Sequence, residues 1–380
     1  MENFTTYNPT SLHFGRNILP GLHDVIHPFG TRVLLVYGQG SVKRSGLYDR
    51  IMQLLTSAGM EVFEYGGIRS NPVIEDVEAA ASLGRKHHVE VVLAVGGGSV
   101  IDSAKTIAVT IPVTHPAWDF FIGKATPRKA LPLVTVLTLA ATGSEMNAIA
   151  VVSNHEARLK APIRSPLIFP RHSFLDPEVT MTVPLDYTAY GIADLIAHCM
   201  EAWFGAGACP MSDKLVLSII REAMEAGPAL LKELKNYTLR ARIMYAATLA
   251  LNGITMQGKV SGEFGVHAAG HILSLLYGVP HGASLTIVYP AWMRLFREQA
   301  GPRIAELVSG MFGESLSVDQ SIGRFEDFFL SLGCPVKLRE LAIPDVSVTE
   351  IVKAMEHANV NGMNMKFKPG DYLKLVELYM

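Results

Sequence analysis

The stretch VEVVLAVGGGSVIDSAKTIAVT, residues 89–110, decides the fold class. Residues 89–95 are apolar and rich in β-branched side chains, which reads as a strand buried on both faces. Gly96, Gly97 and Gly98 close it, and 99–110 carry apolar residues at helical spacing. Working outward, the pattern recurs. Residues 31–37 (TRVLLVY) read as a strand ending at Gly38 and lead into a helical stretch at 45–58. Residues 61–65 read as strand, 73–87 as helix and 132–139 as strand. Strands alternating with helices predict βαβ units and a parallel sheet.

The pattern changes beyond Pro184. Apolar residues fall at helical spacing across 188–225, then near 229–234, 238–255, 263–277, 282–297, 303–312, 319–332, 348–357 and 371–379. Strand-like runs are scarce there. The prediction is therefore an α/β domain over 1–185 and an all-helical domain over 186–380, divided in the loop from Asp176-Pro177 to Pro184.

Composition narrows the function classes. The chain has 380 residues, of which 49% are hydrophobic and 18% charged, enough apolar material for a large core and against wholesale disorder. A net charge of −2 and a pI near 6.7 argue against a general nucleic-acid binder. Cys199, Cys209 and Cys334 make no disulfide or metal pattern, so a reducing, cytoplasmic setting is expected. No signal peptide is expected at the start MENFTTYNPTSLHFG. The longest apolar runs, such as 131–141, fall short of the roughly 18 residues of a membrane span, so no membrane partner is expected.

Three loops suggest a nucleotide. Gly97, Gly98 and Ser99 lie where a strand meets a helix, and a helix N-terminus without crowding side chains suits a phosphate. Asp102 and Lys105 follow in the first turns of that helix. The same triplet also reads as a tight turn with no ligand. It is not the GxGxxG fingerprint. At the end of the first strand, Gly38 and Ser41 stand where dinucleotide sites commonly carry an acid for the ribose 2′-OH, with Lys43 and Arg44 nearby. That favours NADP(H) over NAD(H); the alternative is a solvated loop. Residues 138–147 (TLAATGSEMN) offer the Thr138 and Thr142 hydroxyls, or simply cap a helix opening at Glu145.

Five positions suggest a metal. Asp194 and His198 are i and i+4 on one predicted helical face, as are His267 and His271, and His281 follows a Gly278–Pro280 break. One Asp with two or three His suits Zn²⁺ or Fe²⁺ with an open position. Taken singly, each histidine also reads as a hydrogen-bonded core residue.

Together GGGSVIDSAK (96–105), TGSEMN (142–147), DLIAH (194–198) and HAAGH…PHG (267–282) resemble the iron-containing, group III alcohol dehydrogenase family. YGQGSVKRSGLYD at 37–49 is most similar to its butanol-dehydrogenase-like, NADPH-dependent aldehyde reductase branch. The resemblance implies the dehydroquinate-synthase-like fold: an N-terminal dinucleotide-binding domain with a parallel sheet and an all-helical, metal-binding and substrate domain. It implies Asp194, His198, His267 and His281 as metal ligands and His271 as a non-ligating neighbour of the metal, a candidate proton relay. It implies Gly97, Gly98 and Ser99 at the pyrophosphate, Asp102 as an acid near the nicotinamide, and Thr138, Thr142, Lys160 and Asn71 as further cofactor contacts. Asn71 and Lys160 sit in the weakest matches.

The implied reaction is hydride transfer between NAD(P)H and a small aldehyde or primary alcohol, at Fe²⁺ or Zn²⁺, by a homodimer. Two alternatives are a dehydroquinate-synthase-like cyclase, disfavoured by few cations around Asp194 and His267, and a non-catalytic nucleotide-binding protein. Phe264, Met146 and Trp118 read as pocket lining or as core packing.

Overall fold

The computed structural model describes residues 1–380. Two compact units emerge: Tyr7–Val183 with Leu234–Met244, and Pro184–Glu233 with Tyr245–Met380 and Met1–Thr6. The main division thus falls between Val183 and Pro184, but two short segments belong to the opposite unit from their chain neighbours.

The first unit holds strands β1 (Ser11–Phe14), β2 (Arg32–Gly38), β3 (Glu61–Ile68), β4 (Val91–Gly96), β5 (Leu133–Leu137) and β8 (His172–Leu175) in one sheet. The order is β1-β8-β5-β4-β2-β3, and every pairing is parallel. Strands β6 (Ile149–Asn154) and β7 (Leu159–Arg164) form a separate antiparallel hairpin. Its helices are α1 (Leu22–Ile26), α2 (Ser41–Arg44), α3 (Leu47–Ser57), α4 (Ile74–Lys86), α5 (Gly98–Thr110) and α6 (Trp118–Phe121).

Alternation along the central strands sends apolar side chains to both faces. Val92 and Ala94 of β4, with Leu34 and Val36 of β2, pack on Val77, Ala80, Ile101, Ala104 and Ile107 of α4 and α5. Val91, Leu93 and Val95, with Val33 and Leu35, pack on Leu22, Ile26, Ile51 and Leu55 of α1 and α3. Both faces are covered, which is why these strands read as unbroken apolar runs.

The second unit is helical: α7 (Leu185–Phe204), α8 (Pro210–Lys232), α10 (Gly265–Tyr277), α11 (His281–Leu295), α12 (Arg297–Phe312), α13 (Val318–Ser331), α14 (Val348–His357) and α15 (Asp371–Tyr379). Helix α9 (Tyr237–Leu251) gives its first half to the other unit. No helix is long and apolar enough to cross a membrane.

Several sequence expectations are corrected. The helix expected over 188–225 is two helices, because Gly205, Gly207 and the Pro210 start of α8 break the run. The helix expected over 45–58 is found as α3, entered through Gly46 in the left-handed region (φ 76°) after the separate short α2. Glu145 opens no α-helix. Residues 144–146 make a single 3₁₀ turn, and the chain then enters β6. Strands β1 and β8 escaped the reading because they span only four residues each, and β7 because it carries charges and a proline; β6 (IAVVSN) was passed over although it opens with four apolar residues.

Candidate active site

The chain passes from β2 out to β3 and then back across β2 to β4, so neighbours β2 and β4 flank the point where the strand order reverses. Open parallel sheets bind ligands at the carboxyl ends of such strands. Tyr37 and Val95 are in register there, so Gly38 and the 96–98 triplet follow adjacent strand ends. Gly97 stands at the cap of helix α5, and no side chain caps the helix amides, which leaves N–H groups for an anion.

The glycines differ in what requires them. A Cβ on Gly96 would come within 2.4 Å of Val100, and one on Gly98 within 2.4 Å of Thr142 Oγ1. These two are needed for the strand-to-helix turn and for the 142–147 loop to lie against it. Gly38 is different. A Cβ there would meet Ile68 O and Val100 Cγ2 at an ordinary 3.7 Å. Beside it, the Lys43 ammonium lies over the Tyr37 and Tyr48 rings, 5.1 and 4.5 Å from their centroids. Both tyrosine hydroxyls donate to Glu64, at 3.1 and 2.8 Å. The Tyr37 hydroxyl beside Lys43 raises the ammonium's pKa, so it carries its charge.

Helix α5 grips the second loop. Asp102 accepts from Ser144 Oγ (2.5 Å) and from the Val151 N–H (2.9 Å). Burial raises its pKa, opposed chiefly by Lys105. Lys105 is fully buried and donates to Asn147 O, Asn147 Oδ1 and Ile149 O at 2.8–2.9 Å. IDSAK and TGSEMN are therefore two halves of one clamp. The hairpin carries Lys160 to Asn71, whose Oδ1 accepts from its Nζ at 2.9 Å. Thr142 Oγ1 accepts from the Ser144 N–H, and the Thr138 N–H donates to Gly96 O. Ser99 Oγ donates to Ser70 O.

In the helical unit, Asp194 and His198 lie on α7, His267 and His271 on α10, and His281 opens α11. Gly278, left-handed at φ 66°, ends α10 and turns the chain. Gly282 then lets α11 approach α7: a Cβ there would sit 2.2 Å from Tyr190 O. The Nε2 atoms of His198, His267 and His281 consequently lie 3.7, 3.6 and 3.6 Å from one atom, Asp194 Oδ1.

Those separations are too long for hydrogen bonds. The buried Oδ1 of Asp194 and Nε2 of His267 indeed make none. Buried polar atoms without partners are unfavourable. Two ligand atoms each about 2.1 Å from one ion, at tetrahedral to trigonal angles, stand about 3.4–3.6 Å apart. The residues therefore fit a divalent metal. Burial opposes charge on Asp194, but His198 and the other imidazoles hold its carboxyl well below the usual range. Burial draws His198 down to about 4, keeping it neutral as a ligand must be. His271 lies beside this group, its ring 5.6 Å from that of His281 and 6.2 Å from that of His267.

Residues 9–177 match the model of the iron-containing alcohol dehydrogenase family, and 188–379 match that family's C-terminal domain. The chain belongs to the iron-containing alcohol dehydrogenase family. As a member of this family it is an NAD(P)-dependent alcohol dehydrogenase or aldehyde reductase. It is 40% identical to the probable NADH-dependent butanol dehydrogenase 1 of Bacillus subtilis, over 97% of this chain and 96% of that protein. It is 36% identical to the NADPH-dependent aldehyde reductase of Escherichia coli, over 94% and 93%. The crystal structure of the NADH-dependent butanol dehydrogenase A of Thermotoga maritima superposes with a TM-score of 0.96 at 35% identity, covering 100% of this chain and 99% of that one.

Within this family member, sequence reading passed over two buried acids near the histidines. Glu201 lies three residues after His198 on α7, and its Oε1 abuts His267 Nδ1. Glu263 accepts backbone N–H bonds from Gly265, Asn364 and Met365. The signal was available in DLIAHCME: positions i, i+4 and i+7 share a helical face. Of the apolar guesses, Phe264 lies edge-on to His267, whereas Trp118 stacks on Phe121.

Proposed function

We propose that the chain interconverts small aldehydes and primary alcohols with NADP(H), at a divalent metal held by Asp194, His198, His267 and His281. The observation that carries this reading is the convergence of three imidazole Nε2 atoms, at 3.6–3.7 Å, on one buried carboxylate oxygen. Either Fe²⁺ or Zn²⁺ suits the set. When bound, the cofactor supplies or accepts the hydride, and the metal polarises the substrate oxygen as a Lewis acid.

The chain's own residues do the rest. Asp194, His198 and His267 are buried, which keeps bulk water from that side of the centre; His281 is more open. Reduction consumes one hydride at carbon and one proton at oxygen. An imidazole nitrogen of His271 gives that proton, and recovers it in the oxidising direction. The uncapped amides at Gly97, Gly98 and Ser99 receive the pyrophosphate. Thr138, Thr142, Asn71 and Lys160 contact the cofactor. Asp102 acts by positioning, since both its carboxylate oxygens are engaged by the 144–151 loop.

NADP(H) is favoured over NAD(H) because Gly38 leaves the strand end free of a carboxylate, with Ser41, Lys43 and Arg44 nearby. The named relatives differ on this point, and the loop residues are what support NADP(H) here. We also propose a homodimer, because β1 lies at one end of the sheet and Tyr7, shortly before it, is exposed. The test is a panel of aldehydes and alcohols with NADH and NADPH, on metal-free and reconstituted protein. Aldehyde-dependent NADPH oxidation only after metal addition is expected. Its absence from every reconstituted sample overturns the reading.

A further inference from the structure

We propose that Glu201 is a positioning residue that fixes His267 as a metal ligand and neutralises the centre; this rests on the metal reading above. Asp194, His198 and Glu201 follow at i, i+4 and i+7 on α7, so one helical face carries all three. Glu201 is fully buried. Its Oε1 lies against His267 Nδ1, and no other group hydrogen-bonds to either of its oxygens. A buried carboxylate is unfavourable unless paired, and His267 is its pair.

The ring of His267 has one nitrogen for each neighbour. Nδ1 faces Glu201, and Nε2 faces Asp194 Oδ1 at 3.6 Å. A neutral imidazole holds one proton. With that proton on Nδ1 and donated to Glu201, the lone pair stands on Nε2, beside those of His198 and His281. Carboxylates behind ligating histidines fix tautomer and ring orientation in this way. Charge leads to the same role. A divalent ion with one carboxylate and three neutral imidazoles leaves one positive charge in a buried place. The Glu201 carboxylate brings the sum to zero, which lowers the cost of burying the centre.

Glu201 is held in turn. Its backbone carbonyl accepts from the Glu263 N–H at 2.9 Å. The Glu263 carboxylate accepts from Gly265, at the start of α10, and from Asn364 and Met365, at 2.7–3.0 Å. A Cβ on Gly362 would lie 1.9 Å from Glu263 Oε1, so glycine is required for that segment to close over the acid. The two acids therefore differ: Glu263 is satisfied by backbone amides, while Glu201 spends its only contact on His267.

The test measures metal binding by the full chain. Glu201→Gln keeps the shape and an acceptor but removes the charge; Glu201→Leu removes both. Metal-free proteins are titrated with Zn²⁺ and Co²⁺ against a competing chelator, with the visible Co²⁺ spectrum and the metal-free Tm recorded in parallel. The expected result is a Kd about 10–100-fold weaker for Glu201→Gln, a larger loss for Glu201→Leu, and a displaced Co²⁺ band. Wild-type affinity within twofold and an unchanged band, whatever happens to Tm, overturn the proposal. In the metal-loaded parent, ¹⁵N spectra should show His267 as the Nδ1–H tautomer; an Nε2–H tautomer overturns it without any variant. If the parent itself binds no metal, the metal reading fails and takes this role with it.

Discussion

Replacing Gly38 with Asp should reverse cofactor preference without harming the fold. A Cβ at Gly38 meets only Ile68 O and Val100 Cγ2, both at 3.7 Å, and no left-handed backbone demands glycine there. The structural cost is therefore below about 1 kcal/mol. A carboxylate about 5 Å from a 2′-phosphate dianion, even at the dielectric of water, loses about 1.5–2 kcal/mol. The same carboxylate gains about 1–1.5 kcal/mol by accepting from the free 2′-OH of NAD(H). Together these shift the ratio of kcat/KM for NADPH over NADH by about 3 kcal/mol, or about a hundredfold. Initial rates at saturating aldehyde, with each cofactor varied, measure the ratio. A variant that melts like the parent yet keeps the parent's ratio would show that this strand end does not set cofactor preference.

Other outcomes follow from the same geometry. His267→Ala and His281→Ala should lose bound metal and turnover together, whereas His271→Ala should keep its metal and lose about 10²–10⁴ in rate; elemental analysis beside steady-state kinetics separates them. Gly282→Ala places a methyl 2.2 Å from Tyr190 O, so it should cost about 1–3 kcal/mol and weaken metal binding, read by urea unfolding and metal titration. Burial lowers the Lys105 pKa from 10.5 to about 8, with Asp102 opposing. Between those values the unfolded chain holds the proton and the folded chain does not, so stability rises with pH there. The parent's stability relative to Lys105→Met should therefore climb by about 3 kcal/mol from pH 7 to pH 10.5, and a flat difference would show the lysine unshifted.

Much of this was legible in residues. The central strands were readable because a sheet covered on both faces needs continuous apolar runs, as in 31–37 and 89–95. A candidate metal group of Asp194, His198, His267, His271 and His281 was readable because Asp194 and His198, like His267 and His271, are i and i+4, and a Gly-Val-Pro turn precedes His281; the choice of His281 over His271 as ligand came from the family resemblance. Strands β1 and β8 were not readable: four residues such as SLHF and HSFL have too little periodicity. The exchange of 1–6 and 234–244 depends on tertiary contacts that no local pattern encodes. Glu201 was missed because a glutamate on a helix ordinarily faces water. Its burial follows only once α10 brings His267 against it. Gly282 was read as part of a motif, whereas its reason is the backbone of α7.

The proposed function requires Asp194, His198, His267 and His281 to hold one catalytic divalent ion. The most direct measurement is aldehyde-dependent NADPH oxidation by chelator-stripped protein, titrated with Fe²⁺ or Zn²⁺ while bound metal is counted. Negligible turnover is expected in the stripped chain, with recovery that saturates at one metal per chain. Full turnover by metal-free protein would contradict that requirement.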